Sequence, residues 1–155
     1  MALLVLVSVV QACGGNDGIL PPDDDLEAIE PFVGSWDAEE FRVTSDADTT
    51  IVADLIRDVD GVFQFTVEPS GTYTAQLSFT PTDSLPTQVF VEIGQMSVTD
   101  GFITLRPSQP PGPAVSSSYT FLSSDLLRLE GPTDFDFNLD GTLDPAQLYA
   151  ELRRQ

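Results

Sequence analysis

The 155-residue sequence predicts an all-β fold, an antiparallel up-and-down barrel of about eight strands with one short helix. Three observations carry that expectation. From Phe32 onward, apolar and polar residues alternate over short runs. Turn-forming clusters of Gly, Pro, Asn, Asp and Ser separate those runs. The runs number about eight, the count that closes a small barrel. A chain of this length supports one such domain and no second core.

The elements follow in chain order. Met1 to Val10 is an apolar run interrupted only by Ala2 and Ser8, far shorter than the roughly 20 residues of a spanning helix. It reads as the core of an export signal, with a buried N-terminal strand as the alternative. The run ends in Val10-Gln11-Ala12-Cys13-Gly14-Gly15, which resembles the lipobox of bacterial lipoproteins. The resemblance implies that residues 1–12 are removed and that Cys13 carries covalent lipid, anchoring the chain to a membrane of the cell envelope. Gly14, in place of the Asp that retains some lipoproteins at the inner membrane, points by the same resemblance to the outer membrane. Such signals normally begin with Lys or Arg; none is present here, which suggests a start upstream of Met1.

Residues 13–31 contain Gly14-Gly15, Pro21-Pro22 and Asp23-Asp24-Asp25. That composition reads as an acidic linker, with one helical turn over Leu26–Glu30 before Pro31. The barrel domain is assigned to residues 32–155. Its first strand starts at Trp36. Ile51, Val52, Leu55 and Ile56 fit the spacing of a short helix over Ile51–Arg57.

A hairpin follows: Phe63, Phe65 and Val67 alternate with polar residues, Pro69-Ser70-Gly71 turns the chain, and Tyr73, Ala75, Leu77 and Phe79 resume the alternation. Val89, Val91 and Ile93 carry the pattern to Gly94. There it shifts by one residue to Met96 and Val98, so Gly94 is a candidate β-bulge. Asp100-Gly101 reads as a turn into Phe102–Leu105, and Pro107–Pro113 as a surface loop. Ser117–Leu122 and Leu126–Glu130 form the next pair. Leu148, Ala150 and Leu152 suggest a closing strand, although Asp144-Pro145 would also cap a helix.

Gly34-Ser35-Trp36, at the start of the first strand, resembles the Gly-x-Trp signature of lipocalins and lipocalin-like bacterial lipoproteins. In that family the tryptophan closes the barrel floor against an arginine near the end of the chain. The resemblance therefore implies a floor of Trp36 with Arg153, or alternatively Arg154, through a cation–π contact. An ordinary core tryptophan is the competing reading. The family also implies a cavity for small apolar molecules. Phe63, Phe65, Tyr73, Leu77, Phe79 and Phe90 are numerous enough to fill a small barrel, so a packed core is favoured over an open one.

Composition narrows the function classes. Twenty-five Asp and Glu stand against six basic residues, all arginine, for a net charge of −19. Nucleic acid is an improbable partner, since binding it needs a positive patch. Without histidine, and with Cys13 the sole cysteine, the usual nucleophilic triads and thiolate zinc sites are excluded. Carboxylate chemistry survives, with Glu39, Glu40, Glu68 and Glu92 as candidates and no pair singled out. Neighbouring Glu39 and Glu40 should face opposite sides of a strand.

One acidic segment has a sharper pattern. Asp136, Asn138, Asp140, Thr142 and Asp144, with Gly141 among them, resemble a calcium-binding loop of EF-hand type, in which alternate oxygens on a curved segment converge on a hard cation. Gln147 stands where a bidentate acid belongs, so any affinity should be weak. An Asp-Gly turn is the alternative. Together these readings predict a membrane-anchored, non-catalytic binding or interaction module, with calcium as a candidate cofactor and an unknown protein or small apolar molecule as partner. A small-ligand carrier is the first alternative and a carboxylate-dependent hydrolase the second. Which residues would bind a ligand is left open.

Overall fold

The computed structural model describes residues 23–81, 86–138 and 140–155. The expected signal segment and the lipidation residue Cys13 lie outside the described residues.

Helix α1 (Asp23–Ile29) and a 3-10 turn (Glu30–Phe32) precede nine strands: β1 (Gly34–Ser45), β2 (Val52–Asp54), β3 (Val62–Val67), β4 (Thr72–Phe79), β5 (Gln88–Thr99), β6 (Phe102–Gln109), β7 (Val115–Ser123), β8 (Leu126–Phe135) and β9 (Asp144–Arg154). From β3 to β9 each strand pairs antiparallel with the next, and β1 joins β3 to β9. Eight strands thus close the barrel as predicted, and no sheet edge is left open along the β1/β9 seam. The C-terminal run is a strand, pairing with β8 on one side and β1 on the other.

The segment expected to be helical over Ile51–Arg57 is not. Val52–Asp54 pairs with Arg42–Thr44 of β1, and β3 takes the same edge of β1 further down, at Gly34–Asp37. β2 and β3 therefore act as one wall strand interrupted by an excursion. Asp54 Oδ1 accepts the backbone N–H groups of Ile56 and Arg57 and closes a single turn, which drops Leu55 into the core at 3% exposure. The apolar spacing reflected this one inward residue rather than a helical face.

The β3–β4 hairpin has the expected register, with Phe63 opposite Leu77, Phe65 opposite Ala75 and Val67 opposite Tyr73. β5 differs from expectation. Phe90 lies opposite Leu77, Glu92 opposite Ala75 and Gly94 opposite Tyr73, so the even-numbered residues face inward along the whole strand. Val89 and Val91 point outward, 59% and 46% exposed. The irregularity predicted at Gly94 exists, but the extra residue is in β6, where Ser108 is skipped between partners Pro107 and Gln109. β6 itself extends past the predicted Leu105 to Gln109.

The folded unit also begins before Phe32. Ile29 is fully buried and Phe32 1% exposed, so the described part of the expected linker packs against the barrel. Phe32 meets Tyr119 edge-on at 4.9 Å and Phe121 at 5.1 Å. With Trp36, Phe65, Tyr73, Ile103, Leu127 and Leu152 these residues fill the lower half of the barrel. Burial of this kind is the main favourable contribution to a small fold.

Candidate functional site

The upper half is not filled. A cavity of about 820 Å³ opens at the end of the barrel away from α1, walled mainly by apolar side chains. The expectation of a packed core is thus corrected. Of the six aromatic and aliphatic residues that suggested it, Phe65 and Tyr73 belong to the packed floor, while Phe63, Leu77, Phe79 and Phe90 wall the cavity. The space exists because small residues face them. Ala75 lies on β4 between Phe65 and Glu92. A Cβ on Gly131 would sit 2.6 Å from Ser117 Oγ, so β7 and β8 offer little side-chain volume at this level. At the rim Phe79 and Phe90 stack at 6.0 Å, and Phe90 and Leu143 stay 55% and 64% exposed.

Glu92 projects into this apolar chamber from β5. Tyr73, fully buried, donates its hydroxyl to Glu92 Oε1 at 2.6 Å. Burial above all, then the hydrogen bond and the charge of Glu92, push the tyrosine hydroxyl far above its usual range, so it stays a neutral donor. The Tyr73 ring fits because residue 94 is glycine, where a Cβ would lie 2.7 Å from the ring and 2.2 Å from the Arg106 carbonyl. Glu92 was only one of four undistinguished acids in the sequence. Extending the even-residue phase of Gly94, Met96 and Val98 back along the strand would have marked it as inward-facing.

The floor residues are Trp36 and Arg154, not Arg153. Trp36 pairs with Arg154 across the seam, and Asp37 with Arg153, so period-2 alternation sends the two arginines to opposite faces. Arg154 Cζ lies 4.2 Å from the centre of the indole. Its guanidinium donates to the carbonyls of Val33 at 2.6 Å and Pro31 at 2.5 Å, while Trp36 Nε1 donates to the Phe32 carbonyl at 2.8 Å. Gly34, at φ 128°, leaves room for that guanidinium: a Cβ would come within 3.3 Å of it. Arg153 instead bridges Glu39 and Asp125 on the outer surface.

Glu39 and Glu40 do not face opposite sides, because a bulge between Ala38 and Glu40 breaks the alternation. Glu40 pairs with Arg42 at 2.6 Å and Glu39 with Arg153, and the Arg153 hydrogen bond holds Glu39 below the usual carboxylate range. Nearby, Tyr149 lies between the guanidinium groups of Arg42 and Arg128, at 4.5 and 5.4 Å. Its hydroxyl, ahead of Arg128, holds Glu151 below its ordinary value. Glu68 lies at the β3–β4 turn, where its backbone closes the hairpin. These acids serve the outer surface.

The acidic loop from Asp136 to Asp144 sits at the cavity mouth. Asp136 accepts the backbone N–H groups of Asp140 and Gly141, Asn138 Oδ1 accepts that of Asp140, and Asp140 accepts that of Thr142. Gly141 takes φ 86°, and Asp144 begins β9 opposite Phe135. The side-chain oxygens thus accept backbone N–H groups of their own turn. Among the described residues, no group of three or more Asp, Glu, Cys or His side chains is placed to hold a metal ion.

No protein-family model matches the chain, and no curated protein matches it. Among solved structures, it is similar to a redesigned β barrel at 16% identity, covering 83% of this chain and 95% of that one with a TM-score of 0.46. It is also similar to EF1p2_mFAP2b bound to DFHBI, at 16% identity, 84% and 99% coverage and a TM-score of 0.48.

Proposed function

We propose that the barrel is a non-catalytic binding module whose upper cavity takes one small, largely apolar molecule. The observation that carries this is the open cavity of about 820 Å³, within the roughly 300–1,000 Å³ of small-molecule sites. The exposed rim residues Phe90 and Leu143 give an apolar molecule a surface to meet first. The lack of histidine and the ion-paired state of Glu39 and Glu40 support binding over catalysis. In this reading the module works at the cell envelope, held by lipid on Cys13. That part rests on the lipobox resemblance, and loss of membrane fractionation in Cys13→Ala tests it.

Titration with diphenylhexatriene, a neutral hydrocarbon fluorophore, tests the cavity. Saturable binding at one site is expected, with a loss of about tenfold or more in Ala75→Trp, whose indole would occupy the chamber. A folded protein that shows no saturable binding overturns the reading. The calcium reading of the mouth loop has the sequence pattern alone for support. A calcium titration of the thermal melt, with Asp140→Ala as control, decides it.

A further inference from the structure

We propose that Glu92 makes the cavity selective for amphiphilic amines: molecules with an apolar body and a protonated nitrogen that reaches the Glu92 carboxylate. The proposal rests on the binding reading above and names the ligand class.

Glu92 is half-buried on the inner barrel face among apolar side chains, where a carboxylate attracts a cation more strongly than it would in open solvent. One residue earlier or later on β5 it would have faced solvent, where Val91 and Ile93 stand instead. The strand thus puts valine in water and glutamate in the chamber. Its described partner is the neutral hydroxyl of Tyr73 at 2.6 Å, which fixes one oxygen and supplies no charge.

Among the described residues, no cationic side chain is placed against it. The protein contains no lysine or histidine. Arg42, Arg128 and Arg153 are engaged with outer-face acids. Arg154 is held at the floor by Trp36 and two carbonyls, and Arg57 lies beside Asp54. Arg106 pairs with outward-facing Gln95 on the outer face. A bound ligand is therefore the natural source of the positive charge. The net charge of −19 attracts such a ligand and repels a fatty acid.

The depth also fits. From Glu92 to Gln88 at the rim is four residues of strand, roughly 14 Å along the chain and about 10 Å of depth after the usual barrel tilt. An amine at Glu92 would leave its apolar body against Leu77, Phe79 and Phe90.

The test uses the full chain and three ligands that share a ten-carbon tail: decylamine, decan-1-ol and decanoate, each competing with diphenylhexatriene in low salt and in high salt. A charge-assisted hydrogen bond predicts that decylamine binds about tenfold to a hundredfold tighter than decanol, with decanoate weakest. Persistence of that order in high salt places the preference inside the cavity, where screening is weak. Glu92→Gln should abolish the advantage of the amine over the alcohol, and an amine preference that survives in Glu92→Gln overturns the proposal. Equal binding of amine and alcohol overturns the proposal and leaves the cavity reading standing. Failure of all three ligands and of the fluorophore overturns the cavity reading itself. If Glu92→Gln does not fold, the wild-type series in the two salts still decides, because an amine preference that vanishes in high salt belongs to the surface and overturns the proposal.

Discussion

Arg153 and Arg154 are neighbours with the same side chain, and the strand register assigns them to opposite faces. Replacing each with alanine separates what those faces contribute. Arg154 stacks on the Trp36 indole at 4.2 Å and donates to two carbonyls of the segment that leads from the helix into β1. The cation–π contact contributes about 0.5–2 kcal/mol. Hydrogen bonds from a charged donor contribute about 1.5–3 kcal/mol each when buried and less at an exposed edge. Arg154→Ala should therefore cost about 3 kcal/mol, or about 6–12 °C in melting temperature for a domain of this size. Arg153 makes its contacts with Glu39 and Asp125 in solvent, where ion pairs contribute little, so Arg153→Ala should melt close to wild type. The assay is thermal unfolding by circular dichroism, with tryptophan emission as a second probe that reports Trp36 directly. Equal losses in the two variants, or an Arg154→Ala melt indistinguishable from wild type, would refute the floor assignment.

Two further outcomes follow from the Tyr73 contact. Gly94→Ala puts a methyl 2.2 Å from the Arg106 carbonyl and 2.8 Å from the Tyr73 hydroxyl; because the first obstacle is backbone, the loss should be about 3 kcal/mol, the upper end of overpacking costs, read by urea denaturation. Tyr73 also sets a pH dependence. Its folded-state pKa lies above the value of 10.0 expected for a free tyrosine, so its contribution is complete below that pH and is lost as pH rises beyond it. Tyr73→Phe should flatten the fall in stability above pH 10, leaving the smaller slope from Tyr149, whose hydroxyl is raised chiefly by its hydrogen bond to Glu151. An unchanged alkaline slope in Tyr73→Phe would show that the hydroxyl ionises as freely folded as unfolded.

The barrel was legible in the sequence because alternation is a local signal, and the β3–β4 hairpin shows it working: one turn fixes the register of both strands. It misled where both faces of a strand carry apolar residues. In β5, Val89, Val91 and Ile93 are apolar and outward, so periodicity could not choose between them and Phe90, and Glu92 was placed only by its pairing with Ala75. The cavity was missed for a related reason. Large residues were counted, but whether they meet depends on what stands across the barrel, and Ala75, Ser117 and Gly131 are distant in sequence. Trp36 was found from its motif, but the choice between two adjacent arginines needed the seam register. The turn at Leu55 needed Asp54, whose side chain accepts two amides that a short helix would have left unpaired.

The seam between β1 and β9 also governs how the barrel is reached from the unfolded chain. Its last clasp joins Arg154 to Val33, 121 positions apart, so the ring cannot close until nearly the whole domain is available. Contacts of such separation slow folding, because the entropy of a long loop is lost before the contact forms. Every partly folded form meanwhile has two long, unpaired strand edges, the template on which chains join one another. A molecule built this way is most vulnerable to aggregation before its two ends meet, and the crowd of repelling carboxylates on its surface works against association during that interval.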